Sequence, residues 1–386
     1  MQPFQFNTTP QLIFRPGAAA DLAAVVSGRG VTRLLFVTDP GLRRLGLCDP
    51  ALRSLEEAGL TVTVFDAVEA DPSLATVINA VEAGRVAGAT GVIGFGGGFS
   101  LDVAKVVALL LGSGEPIEAV WGVGNARGPR LPLILVPTTA GTGSEVTPVS
   151  IITVDGDEKR GVSSPILLPD VALLDPDLTL GLPASITAAT GVDAMVHAIE
   201  AYASKNANNN PLSKILARQA LQRLGANIET AVLDGANREA RGAMLFGSML
   251  AGQAFANSPV AAVHALAYPI GGIFHVPHGL SNALVLPHVL RFNAPEAFAL
   301  YAEIAVDAFP DLSAEEGAQG RCAAFIERLS DLSRRLGLQT RLRDVGIGEA
   351  DLPRMAKDAM KQTRLLVNNP RALNEADALA IYRAAW

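Results

Sequence analysis

Apolar residues gather in short runs along the first half of the chain: RLLFVTD (33–39), TVTVFD (61–66), TGVIGFGGG (90–98), LPLILVPTT (131–139) and DVALLD (170–175). Their length and β-branched content predict strands. Between them, 51–59, 73–87 and 100–111 read as helices. Strand and helix in alternation predict parallel β-α-β units, hence a doubly wound parallel sheet with ligands at the carboxyl ends of its strands. Beyond Leu182-Pro183 the pattern changes to long alanine- and leucine-rich stretches at 184–204, 211–233, 237–257, 259–271, 294–309, 315–336, 350–361 and 373–385, with no convincing strand. The expected fold is α/β plus all-α: a dinucleotide-binding α/β domain over 1–182, then a helical metal-binding and substrate domain over 183–386.

Composition narrows the function classes. Of 386 residues, 49% are hydrophobic and 18% charged, the balance of a packed chain rather than a disordered one. A net charge of -7 argues against nucleic acid or an anionic membrane as partner. The late arginines and lysines, Arg334 to Arg364, fall at helical spacings among acids and read as a solvated face. No apolar run has the length of a membrane span, and MQPFQFNTTP has neither the basic nor the apolar part of a signal peptide. Cys48 and Cys322 stand far apart and beside no motif, which fits a reducing cytoplasm.

The chemistry begins at GVDAMVHAIEAY (191–202), where Asp193 and His197 stand four apart on a helix and leave the same face one turn apart. Downstream, AAVHALAYPIGGIFHVPHGLSNALVLPHVLRFN holds four of the five histidines: His264, His275, His278 and His288. A carboxylate with several imidazoles suits iron or zinc better than magnesium or calcium. The bland reading is a buried histidine satisfied by a carboxylate neighbour.

Two loops read as nucleotide sites. GFGGGFSLDVAK (94–105) follows a strand and opens a helix, and Gly96, Gly97, Gly98, Phe99, Ser100 and Asp102 are its candidate cofactor contacts. Glycines let the backbone approach a ligand, and the helix N-terminus offers free N–H groups to a pyrophosphate. A tight strand-to-helix turn would need the same glycines. PTTAGTGSEVTP (137–148) packs five hydroxyls after another strand, with Thr138, Thr139, Thr142 and Ser144 as candidates for phosphate and ribose oxygens. Asp39, at the end of the first clear strand, can accept ribose hydroxyls and repel a 2′-phosphate, or can cap the turn before Pro40-Gly41.

TDPGL, GGGFSLDVAK, PTTAGTGSEVT, LLDPDLT, GVDAMVHAIEAY and the HALAYPIGG…HGLSNALVLPHVLRFN block, in this order, resemble the iron-containing (group III) alcohol dehydrogenase family over nearly the whole chain. The resemblance implies an active site in the cleft between the two domains. It places Asp193, His197, His264 and His278 on the metal-ligand positions, Gly97, Gly98, Thr138, Thr139 and Thr142 on cofactor phosphates, and Asp39 on the adenosine ribose. Lys159 falls near the nicotinamide ribose and Phe255 in the substrate channel. Three departures stand out: Phe99 where serine is usual, Tyr268 where many members carry a second histidine, and His275, which is not a general feature. For the proton relay the candidates are His275 and Tyr268. Histidine, with a reference pKa of about 6.5 against about 10 for tyrosine, is the better base.

The implied function is reversible hydride transfer between a small primary alcohol or diol, its aldehyde, and NAD, with Fe2+ (or Zn2+) as metal. The implied assembly is a homodimer or higher homo-oligomer. The alternative is a metal-free NAD(P)H-dependent reductase of the same fold, resembling maleylacetate reductase, against which Asp193 and the His278-Gly279 pair speak. A non-enzymatic nucleotide-binding module would leave the four metal candidates unexplained.

Overall fold

The computed structural model describes residues 2–154 and 158–386, in two compact units. One comprises Asn7–Thr139 and Gly143–Leu180; the other Met1–Phe6, Ala140–Thr142 and Gly181–Trp386.

Among the described residues the first unit carries nine strands: β1 (Gln11–Phe14), β2 (Arg33–Val37), β3 (Thr61–Phe65), β4 (Gly91–Gly96), β5 (Gly122–Val123), β6 (Leu133–Pro137), β7 (Val149–Val154), β8 (Glu158–Ser163) and β9 (Val171–Leu174). Six of them form one sheet in the order β1-β9-β6-β4-β2-β3, and every pairing in it is parallel. This is the doubly wound sheet expected from the alternating pattern. Successive side chains leave opposite faces of a strand, and the two cores record it. Leu35, Val37, Val92, Leu133 and Leu135 join one apolar cluster; Leu34, Phe36, Ile93, Phe95, Ile134 and Val136 join the other. A sheet covered on both faces needs the continuous apolar runs that made these strands legible.

Two parts of this unit differ from the sequence reading. The edge strand β1 is only four residues long and mostly exposed, so it leaves little hydrophobic pattern. The second sheet, β5-β8-β7, pairs β7 with the polar strand β8 (EKRGVS), whose charged alternation carries no apolar signal.

The second unit is helical. Its long members are Ala184–Ala203, Pro211–Leu233, Arg238–Asn257, Ala262–Phe274, His278–Ala308 and Gly317–Arg335, followed by shorter Leu352–Ala359 and Glu375–Ala385. Their starts are written locally: Asn210, Asn237 and Asn374 each accept a backbone N–H three residues on. The asparagine-rich segment 206–210 is held by specific hydrogen bonds. Asn209 donates to the carbonyls of Ala201, Tyr202 and Ser204, satisfying acceptors at the end of helix Ala184–Ala203. The helix His278–Ala308 runs unbroken past Pro287 and Pro295. Those prolines are why the sequence yields only its second half, since proline is normally read as a break.

Candidate metal centre and nucleotide loops

Asp193 and His197 leave one face of helix Ala184–Ala203, four residues apart as expected. His264 comes from the first turn of helix Ala262–Phe274, and His278 is the first residue of His278–Ala308. The close approach of the last helix depends on Gly279, where a Cβ would lie 2.4 Å from the Ala189 carbonyl oxygen and 3.3 Å from the Asp193 Cβ. Glycine after His278 is therefore what brings that imidazole to the aspartate.

One potential ligand atom from each of Asp193, His197, His264 and His278 lies within 4.8 Å of all the others. Nε2 of His264 is 3.9 Å and Nε2 of His278 3.7 Å from Oδ1 of Asp193. The rings of His197 and His264 stack at 4.8 Å. Asp193, His197 and His264 are buried, and only His278 is half-exposed, giving the set one wetter side. Three imidazoles and one carboxylate within this span form a donor set for iron or zinc. Nδ1 of His197 is buried with no hydrogen-bond partner, a cost that polar burial rarely tolerates without cause.

The electrostatics favour the ligating forms. Burial drives His197 down to about 3, with His264 and His278 adding to the shift, so the ring is neutral with a lone pair to give. Burial pushes Asp193 up, but His197, His278 and His264, with a bond from Asn282, outweigh it and hold the carboxyl below its usual range. A neutral imidazole beside an ionised carboxylate is the state a divalent metal requires.

Behind His264 stands Glu200, which the sequence reading passed over. Its carboxylate lies 2.7 Å from Nδ1 of His264 and accepts the amides of Ala261 and Val263. Glu200 thus caps a helix start that has no cap of its own, and fixes the ring that presents Nε2 to Asp193. The signal was present: Glu200 follows His197 by three residues and Asp193 by seven, on the same helix face.

The other candidates fall unevenly. Phe255 stacks on His197, ring centroids 4.4 Å apart. Tyr268 packs on His278 at 6.3 Å, its hydroxyl 3.4 Å from Arg364. His275 does not join the group: it ends helix Ala262–Phe274 in the left-handed conformation at φ 55° and is exposed. His288 is half-buried elsewhere on the long helix, and burial brings it down to about 4.

In the α/β unit, β4 and β6 pair in register so that Gly96 faces Pro137, and Thr138 N donates to the Gly96 carbonyl. The two candidate loops therefore leave neighbouring strands side by side, and a Cβ on Gly97 would come 3.6 Å from the Thr139 side chain. Gly97 precedes helix Gly98–Ser113 with no side-chain cap, leaving its first N–H groups for an anion. Phe99 is exposed on that first turn. Asp39 caps helix Pro40–Arg44, and both cap bonds, from Gly41 and Leu42, fall on Oδ1.

Three expected cofactor contacts turn inward. Ser100 is buried, its Oγ 2.7 Å from where a Gly96 Cβ would stand. Ser144 donates to Asp102 at 2.6 Å and accepts from Nζ of Lys105 at 2.7 Å, while the other Asp102 oxygen accepts the Ile151 amide. The fully buried Lys105 organises this knot, and its charge needs those partners. Lys159 pairs with Asp71 at 2.6 Å and bonds Thr153. Thr138 is buried and Thr142 falls in the helical unit's segment Ala140–Thr142.

Comparison with known proteins agrees with this geometry. The profile described as iron-containing alcohol dehydrogenase matches residues 9–176, and that of the Fe-containing alcohol dehydrogenase family, C-terminal, matches 187–386. The chain belongs to the iron-containing alcohol dehydrogenase family. It is 41% identical over 376 residues to long-chain-alcohol dehydrogenase 1 of Geobacillus thermodenitrificans, covering 96% of this chain and 93% of that one. It is 33% identical over 387 residues to the NAD-dependent methanol dehydrogenase of Bacillus methanolicus, covering 98% and 99%. The crystal structure of a 1,3-propanediol oxidoreductase superposes with a TM-score of 0.95 at 35% identity, over 100% of both chains.

Proposed function

We propose that this protein catalyses reversible hydride transfer between a small primary alcohol or diol, its aldehyde, and NAD, with Fe2+ or Zn2+ held by Asp193, His197, His264 and His278. The observation that carries the reading is the buried set of three imidazoles and one carboxylate with its ligand atoms within 4.8 Å of one another. A bound metal would supply Lewis acidity toward the substrate oxygen, and NAD the hydride acceptor.

The chain's own residues supply the rest. Glu200 keeps the His264 ring in one tautomer and orientation. Phe255, stacked on His197, forms an apolar wall that keeps water from the reacting carbon. Tyr268 lies against His278 and is the group we assign to proton exit. In the α/β unit, the uncapped start of helix Gly98–Ser113 and Thr138 and Thr139 would hold the pyrophosphate, and Oδ2 of Asp39 the adenosine ribose. Lys159, anchored by Asp71, is assigned to the nicotinamide ribose.

The substrate is a small molecule, and the assembly a cytoplasmic homodimer or higher homo-oligomer. Two buried free cysteines fit that compartment, and no helix among the described residues is long and apolar enough to cross a membrane. The test is turnover of primary alcohols, diols and aldehydes by metal-reconstituted protein with NAD or NADH. Absence of turnover across that series, in protein with one bound metal per chain, would refute the activity.

A further inference from the structure

Helix Gly98–Ser113 is buried from Ser100 to Leu110 at every residue but Asp102, and in that run Lys105 stands at 0% exposure. A buried ammonium loses its water, and an apolar side chain would fill the same space at less cost. The side chain is therefore kept for what it holds. As an ammonium it has three hydrogens, and three acceptors meet them: Ser144 Oγ and the Val149 carbonyl, each at 2.7 Å, and Thr147 Oγ1 at 3.2 Å. Oδ1 of Asp102, one turn back on the same helix at 3.4 Å, supplies the countercharge.

All three acceptors lie on one short segment, 144–149, at the far end of the second nucleotide loop. Asp102 strengthens the same seam. Its carboxylate accepts from Ser144 Oγ at 2.6 Å and from the Ile151 amide at 2.9 Å, and its carbonyl accepts from Ser150 Oγ at 2.9 Å. The near end of the loop is tied separately, by the Thr138 amide to the Gly96 carbonyl at 2.9 Å. Between the two ties run Gly141 and Gly143, the latter in the left-handed conformation at φ 59°. Glycines give such a stretch many conformations unless both its ends are fixed.

We propose that Lys105 is a positioning residue for the cofactor. It locks segment 144–149 to the helix that opens the first loop, so that the two loops stand ready at the spacing a pyrophosphate needs. Being fully buried, it acts through the loops and does not touch the cofactor. The inference rests on the reading of these loops as the NAD site. Its consequence is an affinity for the dinucleotide that comes partly from order built in before binding.

ADP-ribose is the probe, since it carries the pyrophosphate and no reacting ring. Its dissociation constant is measured by calorimetry for wild type, Lys105→Met and Thr147→Val, well below each protein's melting temperature so that all molecules are folded. Lys105→Met keeps the length of the side chain and removes its donors, and should weaken ADP-ribose about tenfold. Thr147→Val removes one acceptor and leaves the lysine, and should weaken it about threefold. KM for NAD should rise by the same factors, while kcat at saturating NAD changes by less than about twofold. A residue that only supported the core would lower the melting temperature and leave ADP-ribose affinity alone, and that result in Lys105→Met overturns the proposal. Where Lys105→Met does not fold, an unchanged affinity in Thr147→Val overturns it equally. Wild-type protein that does not bind ADP-ribose would refute the nucleotide reading itself, and this inference with it.

Discussion

The carboxylate of Glu200 lies 2.7 Å from Nδ1 of His264, on the side of the ring opposite the Nε2 that approaches Asp193. One residue thereby sets the proton, the angle and the basicity of a proposed ligand, while its oxygens close the start of the helix that carries it. Glu200→Gln keeps an oxygen for the helix but gives up the charge on the imidazole. It should weaken metal binding about 10- to 100-fold, with a smaller effect on folding. Chelator competition on the two proteins decides this, and equal affinities would reduce Glu200 to a helix cap.

At the other ligand, Asp39→Gly should raise the ratio of kcat/KM for NADP over that for NAD. The change removes a carboxylate that would repel a 2′-phosphate and that hydrogen-bonds the ribose. The lost cap on helix Pro40–Arg44 should cost only a few tenths of a kcal/mol, because glycine is a tolerable N-cap. A wild-type enzyme that already prefers NADP would show that Asp39 does not face the ribose.

The geometry reverses the expected order of the two relay candidates. Histidine is the better base in principle, yet His275 is exposed past a helix end while Tyr268 packs on His278. Tyr268→Phe should slow alcohol oxidation and alter its pH–rate profile at unchanged metal content, and His275→Phe should do neither. The opposite result would return the relay to His275.

A separate prediction concerns Glu145, buried near Lys105. Burial pushes its carboxyl from 4.5 up to about 7, more than its own backbone bond and Lys105 pull it down. Between those two values the unfolded chain has released the proton and the folded chain still holds it. Stability from this group is therefore lost as pH rises from about 4.5 to about 7 and is constant above. Glu145→Gln should be more stable than wild type at pH 8, with the advantage shrinking toward pH 4.5. Parallel urea melts across that range are the measurement, and a pH-independent difference would contradict it.

The sequence showed those parts whose physics is local or periodic. Strands buried on both faces read as apolar runs, and Asp193 and His197 read as a pair because helical spacing is regular. The spatial meaning of His264 and His278 came from resemblance, since no spacing rule links residues on separate helices. Glu200 shares the helix face of Asp193 and His197 and was legible from spacing, but its partner, Nδ1 of His264, arrives only when a second helix packs. Asp102 and Ser144 show the converse: hydroxyls and acids beside a glycine loop read as cofactor contacts, and only the fold reveals that they also hold the buried Lys105. The polar strand β8 and the proline-bearing helix His278–Ala308 hid behind compositions that usually mean loop.

The central claim, that Asp193, His197, His264 and His278 bind a catalytic metal, is tested most directly by elemental analysis paired with turnover. Purified wild-type protein, chelator-stripped protein and protein reloaded with Fe2+ or Zn2+ are compared with His264→Ala. The account expects about one metal per chain in active protein, loss of turnover on stripping and recovery on reloading. His264→Ala should lose metal and rate together, because three ligands bind more weakly than four. Full alcohol oxidation by protein shown to contain no metal would contradict it.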